Sequence, residues 1–321
     1  MTVSSVCLKT NPPLDMPILL AALGILAAFW LFQPSFLAAF SMSDLLSQPH
    51  VSIHSDGLGH VDAPERRLAT ITDIDSAAVI AYDRESGYGL LSEAASEQRP
   101  IASLTKLMTA LVFLETDPDW NSSYTVHRSD RREGGVITLF PGDKVSTRDL
   151  FRTALIASDN SAIAGLVRSS GMSEAAFVGR MNERAAEMHL RSTVFAEPTG
   201  LSPANRSTAR DVTRLLEAAL EQSDIREALT RENYAFTTTD GREKNVETTN
   251  KLLSSNLPLN IRQIGGKTGH IPEAGFCFAG WFEKDGREVI TVVLGAPTEA
   301  ARFAETEKLV KWVYTTYEWN N

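Results

Sequence analysis

The 321 residues carry 43% hydrophobic, 22% charged and 8% aromatic side chains, a balance that supports a buried core and excludes a disordered or fibrous chain. A formal charge of −9, from 40 acidic against 31 basic residues, argues against a general grip on a phosphate backbone, so no nucleic acid partner is expected. Two cysteines, Cys7 and Cys277, are too few for a disulfide framework and lie in no Cys/His cluster with metal spacing, so no metal is expected.

In chain order, residues 1–15 read as a cytoplasmic amino terminus and residues 16–42 as a transmembrane signal anchor or a signal peptide. Met16 to Ser43 holds no charge, and Ile18 to Phe32 is almost unbroken apolar sequence. Lys9 is the only Lys or Arg before Arg66, which places the amino terminus inside and the rest of the chain outside the cytoplasm. The apolar run continues to Phe40, long for a cleaved signal, so the uncleaved anchor is the favoured form. Residues 43–75 mix Pro, Gly, His, Ser and charges without a period and read as a linker; residues 76–321 are the folded body.

Within that body, Ser76–Tyr82 and Tyr88–Ser92 flank a polar turn and predict a hairpin. Leu104, Leu107, Met108, Leu111, Val112 and Leu114 recur at helical spacing, predicting a mostly buried helix. Thr147, Ser173 and Thr208 are expected to cap three further helices. Tyr234–Thr239, Ile261–Ile264, Phe276–Phe282 and Glu288–Leu294 are strand-like, and a helix is expected from Thr298 to Glu318. In that helix Leu309, Trp312, Val313 and Tyr317 form a packing stripe, while Cys277 reads as a core thiol and Arg131–Arg132 as a solvated turn. Strands, a helical middle, a closing hairpin and a helix predict an α+β class: an antiparallel sheet with helices packed on it plus a mostly helical subdomain.

Three motifs follow one another: Ser103-Leu-Thr-Lys106, Ser158-Asp-Asn160 and Lys267-Thr-Gly269. Each alone is weak, a helix cap, a polar turn or a flexible loop; in order they are specific. Ser103 and Lys106 share one helix face, and a Lys whose charge is disfavoured by burial can take the proton of a serine nucleophile. Ser158 is expected to pass a proton from Lys106 to a leaving amine, and Asn160 to bond a substrate amide. Lys267 and Thr268 are expected to hold a carboxylate, on a strand edge able to pair with an extended peptide. Gly269 admits a close backbone, and the N–H groups of Ser103 and His270 are candidates for the oxyanion hole.

With Pro100–Thr109, Pro198-Thr-Gly-Leu201, Ser207–Asp211 and Lys267–Gly275, the body resembles the serine D-alanyl-D-alanine carboxypeptidases, the low-molecular-mass penicillin-binding proteins, and their β-lactamase-like transpeptidase fold. The resemblance implies that Ser103 is acylated by a peptidoglycan stem peptide ending in D-Ala-D-Ala, that water then frees the enzyme, and that β-lactams acylate the same serine. It implies no cofactor. It also implies a bacterial cell-membrane location with the catalytic domain outside the cytoplasm. Many members carry a β-rich domain and an anchoring helix after the catalytic domain; this sequence stops at Asn321, so anchoring is expected from the amino terminus. Three alternatives stand: a D,D-endopeptidase using the same residues, a β-lactam sensor without turnover, and a class A β-lactamase, for which Glu197 would have to activate water. Glu197 lacks the Glu-x-x-Leu-Asn surroundings of that group and reads as a loop residue.

Overall fold

The computed structural model describes residues 62–66 and 71–319. The sheet strands are β1 (Ala78–Asp83), β2 (Gly89–Glu93), β3 (Arg262–Ile271), β4 (Gly275–Lys284) and β5 (Arg287–Ala296). They pair antiparallel throughout in the order β3-β4-β5-β1-β2. The helices are α1 (Thr105–Leu114), α2 (Thr147–Ile156), α3 (Asn160–Ser169), α4 (Glu174–Glu187), α5 (Ala209–Glu221), α6 (Ser223–Leu229) and α7 (Glu299–Thr316). This is the expected α+β layout, with α1 to α6 inserted between β2 and β3.

The sheet is buried on both faces, and strand alternation divides its side chains between two cores. Val79, Ala81, Val289 and Val293 face Leu309 and Val313 of α7, and Phe278 and Phe282 join Phe303 and Val310 of the same helix. Ala78, Ile80, Ala279, Trp281, Ile290 and Val292 turn the other way, into the core shared with α1, α2, α3 and α5. Helix α5 offers that core Val212, Leu215, Leu216, Ala219 and Leu220, the apolar stripe of a 3.6-residue period. Nine of the ten residues of α1 are buried, so the helix that follows Ser103 runs through the centre of the helical lobe.

The helix starts follow capping chemistry. Side-chain oxygens of Ser146, Asp159, Ser173, Thr208 and Thr298 accept main-chain N–H bonds in the first turns of α2, α3, α4, α5 and α7. Ser146 rather than Thr147 caps α2; Thr147 is already helical, and its hydroxyl lies 2.6 Å from that of Ser122.

Three other expectations are corrected. The third strand does not stop at Ile264 but runs to Ile271, so Lys267-Thr-Gly269 lies within β3, not after it. Gly265 and its neighbours have poor strand propensity, yet a side chain at Gly265 would lie 2.7 Å from Leu220 of α5, so packing and pairing with β4 override propensity. The segment around Tyr234 is no part of this sheet: Asn233–Thr237 pairs with Glu243–Glu247 in a separate hairpin. Packing also begins before Ser76, since Glu65–Arg66 pairs with Tyr317–Glu318 and Ile71 is buried beside Leu309. The apolar run expected at 16–42 lies outside the described residues; among those described, no helix is long and apolar enough to cross a membrane.

Candidate active site

A short 3₁₀ turn, Ala102–Leu104, leads into α1 and carries Ser103 at the floor of a cleft of about 760 Å³. Ala102 sits at φ +47, a strained setting for a residue with a Cβ, and it turns the chain so that Ser103 faces the cleft. Gly200 backs this turn so closely that a Cβ there would lie 2.1 Å from the Ala102 carbonyl oxygen and 2.8 Å from the Ser103 nitrogen. From the opposite side β3 approaches: a Cβ on Gly269 would stand 3.1 Å from the same Ser103 nitrogen. Two glycines thus bring two backbones onto the nucleophile's amide.

Lys106, one helical turn on, is fully buried, and its Nζ has three oxygen neighbours: Ser103 Oγ at 2.7 Å, Asn160 Oδ1 at 2.7 Å and the Thr199 carbonyl at 2.6 Å. Burial pushes its pKa down to about 7, opposed by the charges of Glu197 and Asp159. Two of the three partners, an amide oxygen and a carbonyl, can only accept. A neutral amine spends its two N–H bonds on them, which leaves its lone pair aimed at the Ser103 hydroxyl.

Asp159 holds the second motif in place. One carboxylate oxygen caps α3 through Ser161 N and Ala162 N; the other accepts from Thr138 N and Leu139 N, pinning the loop that forms one cleft wall. Asn160 binds Lys106 with its oxygen and donates to the Gly134 carbonyl, so most of the capacity assigned to a substrate amide is spent on the wall and the base. Ser158, at φ +58, turns its hydroxyl not to Lys106 but to Lys267 Nζ, 2.8 Å away.

Lys267, expected to hold a carboxylate with Thr268, lies on β3 beside Ser158. It is 1% exposed, does not line the cleft, and bonds Ser158 and the Thr268 carbonyl. Burial drives its pKa well down, and the neighbouring Lys106 and Arg302 charges add to this. Thr268, Gly269 and His270 do line the cleft, the imidazole stacked on Phe276 at 4.0 Å. Two cations reach the cleft: Lys251, paired with Glu299, and Arg302 of α7, 4% exposed, which donates to the Gly269 carbonyl and to Glu299. Sequence reasoning missed Arg302, although an Arg on the buried stripe shared with Thr306, Leu309 and Val313 was a signal to follow. Thr249 was missed too; its hydroxyl lies 2.6 Å from that of Thr268.

Glu197 is spoken for. Its carboxylate accepts from Thr199 N and Oγ1, Gly200 N, Ser202 N and Asn205 Nδ2, building the turn that offers the Thr199 carbonyl to Lys106. It does not line the cleft. Cys277 is a buried core thiol with its pKa raised to about 11, as read from sequence. No cluster of metal-ligating side chains exists among the described residues.

Residues 64–298 match the family model described as D-alanyl-D-alanine carboxypeptidase. The chain belongs to that family. It is a serine peptidase of the penicillin-binding type, with the family's fold. Over 255 residues it is 32% identical to a D-alanyl-D-alanine endopeptidase of Pseudomonas aeruginosa, covering 78% of this chain and 81% of that one. The D-alanyl-D-alanine carboxypeptidase DacC of Escherichia coli is 34% identical across 76% of this chain and 62% of its own length. Among solved structures, a Streptomyces DD-transpeptidase superposes with a TM-score of 0.71 at 29% identity, over 77% of this chain and all of the other. A D-alanyl-D-alanine carboxypeptidase from Mycobacterium tuberculosis gives 0.70 at 26%, over 79% and 97%.

Proposed function

We propose that this carboxypeptidase removes the terminal D-Ala of peptidoglycan stem peptides through an acyl-enzyme on Ser103. The observation that carries the residue assignment is the trio of oxygens around Lys106 Nζ, of which, among the described residues, the Ser103 hydroxyl alone can donate. Lys106 takes the hydroxyl proton as Oγ attacks the penultimate D-Ala carbonyl. The N–H of Ser103, beside β3, and that of His270 stabilise the oxyanion. Ser158, polarised by Lys267, relays that proton from Lys106 to the leaving amine, losing its own and regaining one from Lys106. Thr268 and Arg302 face the place of the terminal carboxylate. Water then attacks the ester. β-Lactams, which present a carbonyl and a carboxylate in the same relation, acylate the same serine.

The saturated carboxylate of Glu197 supports a slow release of that adduct, because no lone pair remains to activate water. The apolar segment at 16–42 supports membrane attachment at the amino terminus, with the catalytic body on the extracytoplasmic side. The relative named an endopeptidase supports a second substrate, the cross-linked peptide, cut by the same residues.

The full chain in detergent is to be given a pentapeptide stem, a cross-linked dimer and a fluorescent penicillin, with Ser103→Ala as control. Steady D-Ala release and a long-lived adduct, both lost in the variant, are the expected result. Rapid penicillin turnover without D-Ala release would overturn it, and cleavage of the dimer alone would select the endopeptidase.

A further inference from the structure

On the helical lobe, outside the catalytic cleft, three segments meet around a depression of about 480 Å³ lined by Ser96, His189, Arg191, Ser192, Thr208, Arg210, Asp211 and Arg214. Many arginines of this acidic protein reach carboxylates, Arg84, Arg152, Arg180 and Arg302 among them. Arg191, Arg210 and Arg214 are exposed, and none forms an ion pair among the described residues. Arg210 and Arg214 stand four apart on α5, a like-charge spacing that costs an isolated helix stability. An overall negative charge does not forbid a local cation cluster; it makes one more conspicuous.

The depression also holds one carboxylate, one oxygen of which is committed inward. Asp211 is buried, and its Oδ2 accepts from Ser192 N and from Thr193 Oγ1. These bonds tie the 189–193 loop to the first turn of α5. The Arg210 main-chain N–H bonds the Ala95 carbonyl and brings in the segment bearing Ser96. Arg214 Nη1 donates to the His189 carbonyl at 3.4 Å. The bases of the three arginines are therefore set by the fold, while no carboxylate closes an ion pair with their guanidinium groups among the described residues.

We propose that Arg191, Arg210 and Arg214, with His189, form a binding site for a phosphate group. A flat carboxylate is satisfied by one guanidinium fork, whereas a tetrahedral phosphate offers oxygens to three cations, here two from α5 and one from the 189–193 loop. Two sources present this chemistry, a soluble phosphate or phosphomonoester and the headgroup of an anionic phospholipid.

The test uses the full chain in neutral detergent micelles. Calorimetric titrations are made with inorganic phosphate, with glycerol phosphate, with acetate, and with micelles doped with phosphatidylglycerol or phosphatidylcholine. Saturable binding of phosphate ligands is expected, weakened about tenfold or more in Arg210→Gln/Arg214→Gln through loss of charge-assisted bonds. D-Ala release should stay unchanged, since neither residue lines the catalytic cleft, and a Tm that does not fall will show that the double variant is folded. Binding of both small phosphates identifies a soluble ligand; binding confined to phosphatidylglycerol micelles identifies the headgroup. Absence of saturable binding in every arm, equal affinity for acetate, or equal affinity in the double variant would overturn the proposal.

Discussion

At the residue scale the reaction depends on Lys106 being neutral. With its pKa near 7, kcat/KM for D-Ala release should rise with slope one along an acid limb centred at about pH 7 and flatten above it. Lys106→Arg keeps a cation but cannot lose a proton, and should abolish acylation by fluorescent penicillin. An acid limb centred near pH 9 to 10 would reject Lys106 as the base. The same depression has a stability sign. The unfolded lysine titrates near its ordinary 10.5, so between about pH 7 and that value the unfolded chain holds the extra proton and stability rises with pH. The burial penalty is therefore largest below pH 7. The Tm of Lys106→Met relative to wild type should accordingly improve as pH falls from about 9 to about 6, as calorimetry can read. Thr249 acts through Thr268: the two hydroxyls lie 2.6 Å apart, either able to donate, and the contact positions the Thr268 hydroxyl for a substrate carboxylate. Thr249→Val should raise KM roughly five- to tenfold, about 1 kcal/mol, with kcat nearly unchanged, and Thr249→Ser should restore it. An unchanged KM would assign Thr249 to packing alone. The motif residues were legible because each spacing has chemical meaning; Thr249 and Arg302 were not, because they reach Thr268 and Gly269 from distant parts of the chain.

At the scale of elements, the turn after Glu197 has one geometric task, to support the chain at Ser103 while presenting a carbonyl to Lys106. Gly200 sits at φ +88 with no room for a Cβ against the Ala102 carbonyl. Gly200→Ala should destabilise the protein by about 3 kcal/mol, from overpacking and the disfavoured φ together, and should slow penicillin acylation beyond what lost stability explains. Thermal melts and adduct rates on the folded fraction separate the two effects; a normal acylation rate would show that the turn supports stability only. Pro198-Thr-Gly-Leu201 was noticed in the sequence as a resemblance, but its contact with the nucleophile is a long-range fact that local pattern does not carry. The opposite case is β3. Its Gly and Lys residues hid a strand that β4 pairs residue by residue from Gly265 to Ile271. Sequence pattern succeeded where it is strong, in the continuous apolar run Val79 to Tyr82 and the helical stripe of α5, and failed where glycines serve close approach.

For the whole molecule the central sheet joins the two cores, because β1 enters the fold before the helical lobe and β5 returns after it to pair with β1. That pairing links residues about 200 apart in sequence and was beyond reach of local reading, although the strands themselves were not. It predicts that the lobe and the α7 layer unfold together. Leu215 of α5 and Leu309 of α7 are both fully buried, on opposite faces of the sheet. Each truncation to Ala should cost about 2–5 kcal/mol. In urea, far-ultraviolet ellipticity, tryptophan fluorescence and penicillin labelling should shift to lower concentration together in both variants. If Leu309→Ala instead moved one transition and left the helical signal in place, the sheet would be a boundary between two folding units. The coupling matters for activity, because Arg302 on α7 and Ser103 in the helical lobe address the same cleft from opposite sides of β3. Loss of either layer therefore disassembles the site, and labelling of Ser103 should report the integrity of the whole fold.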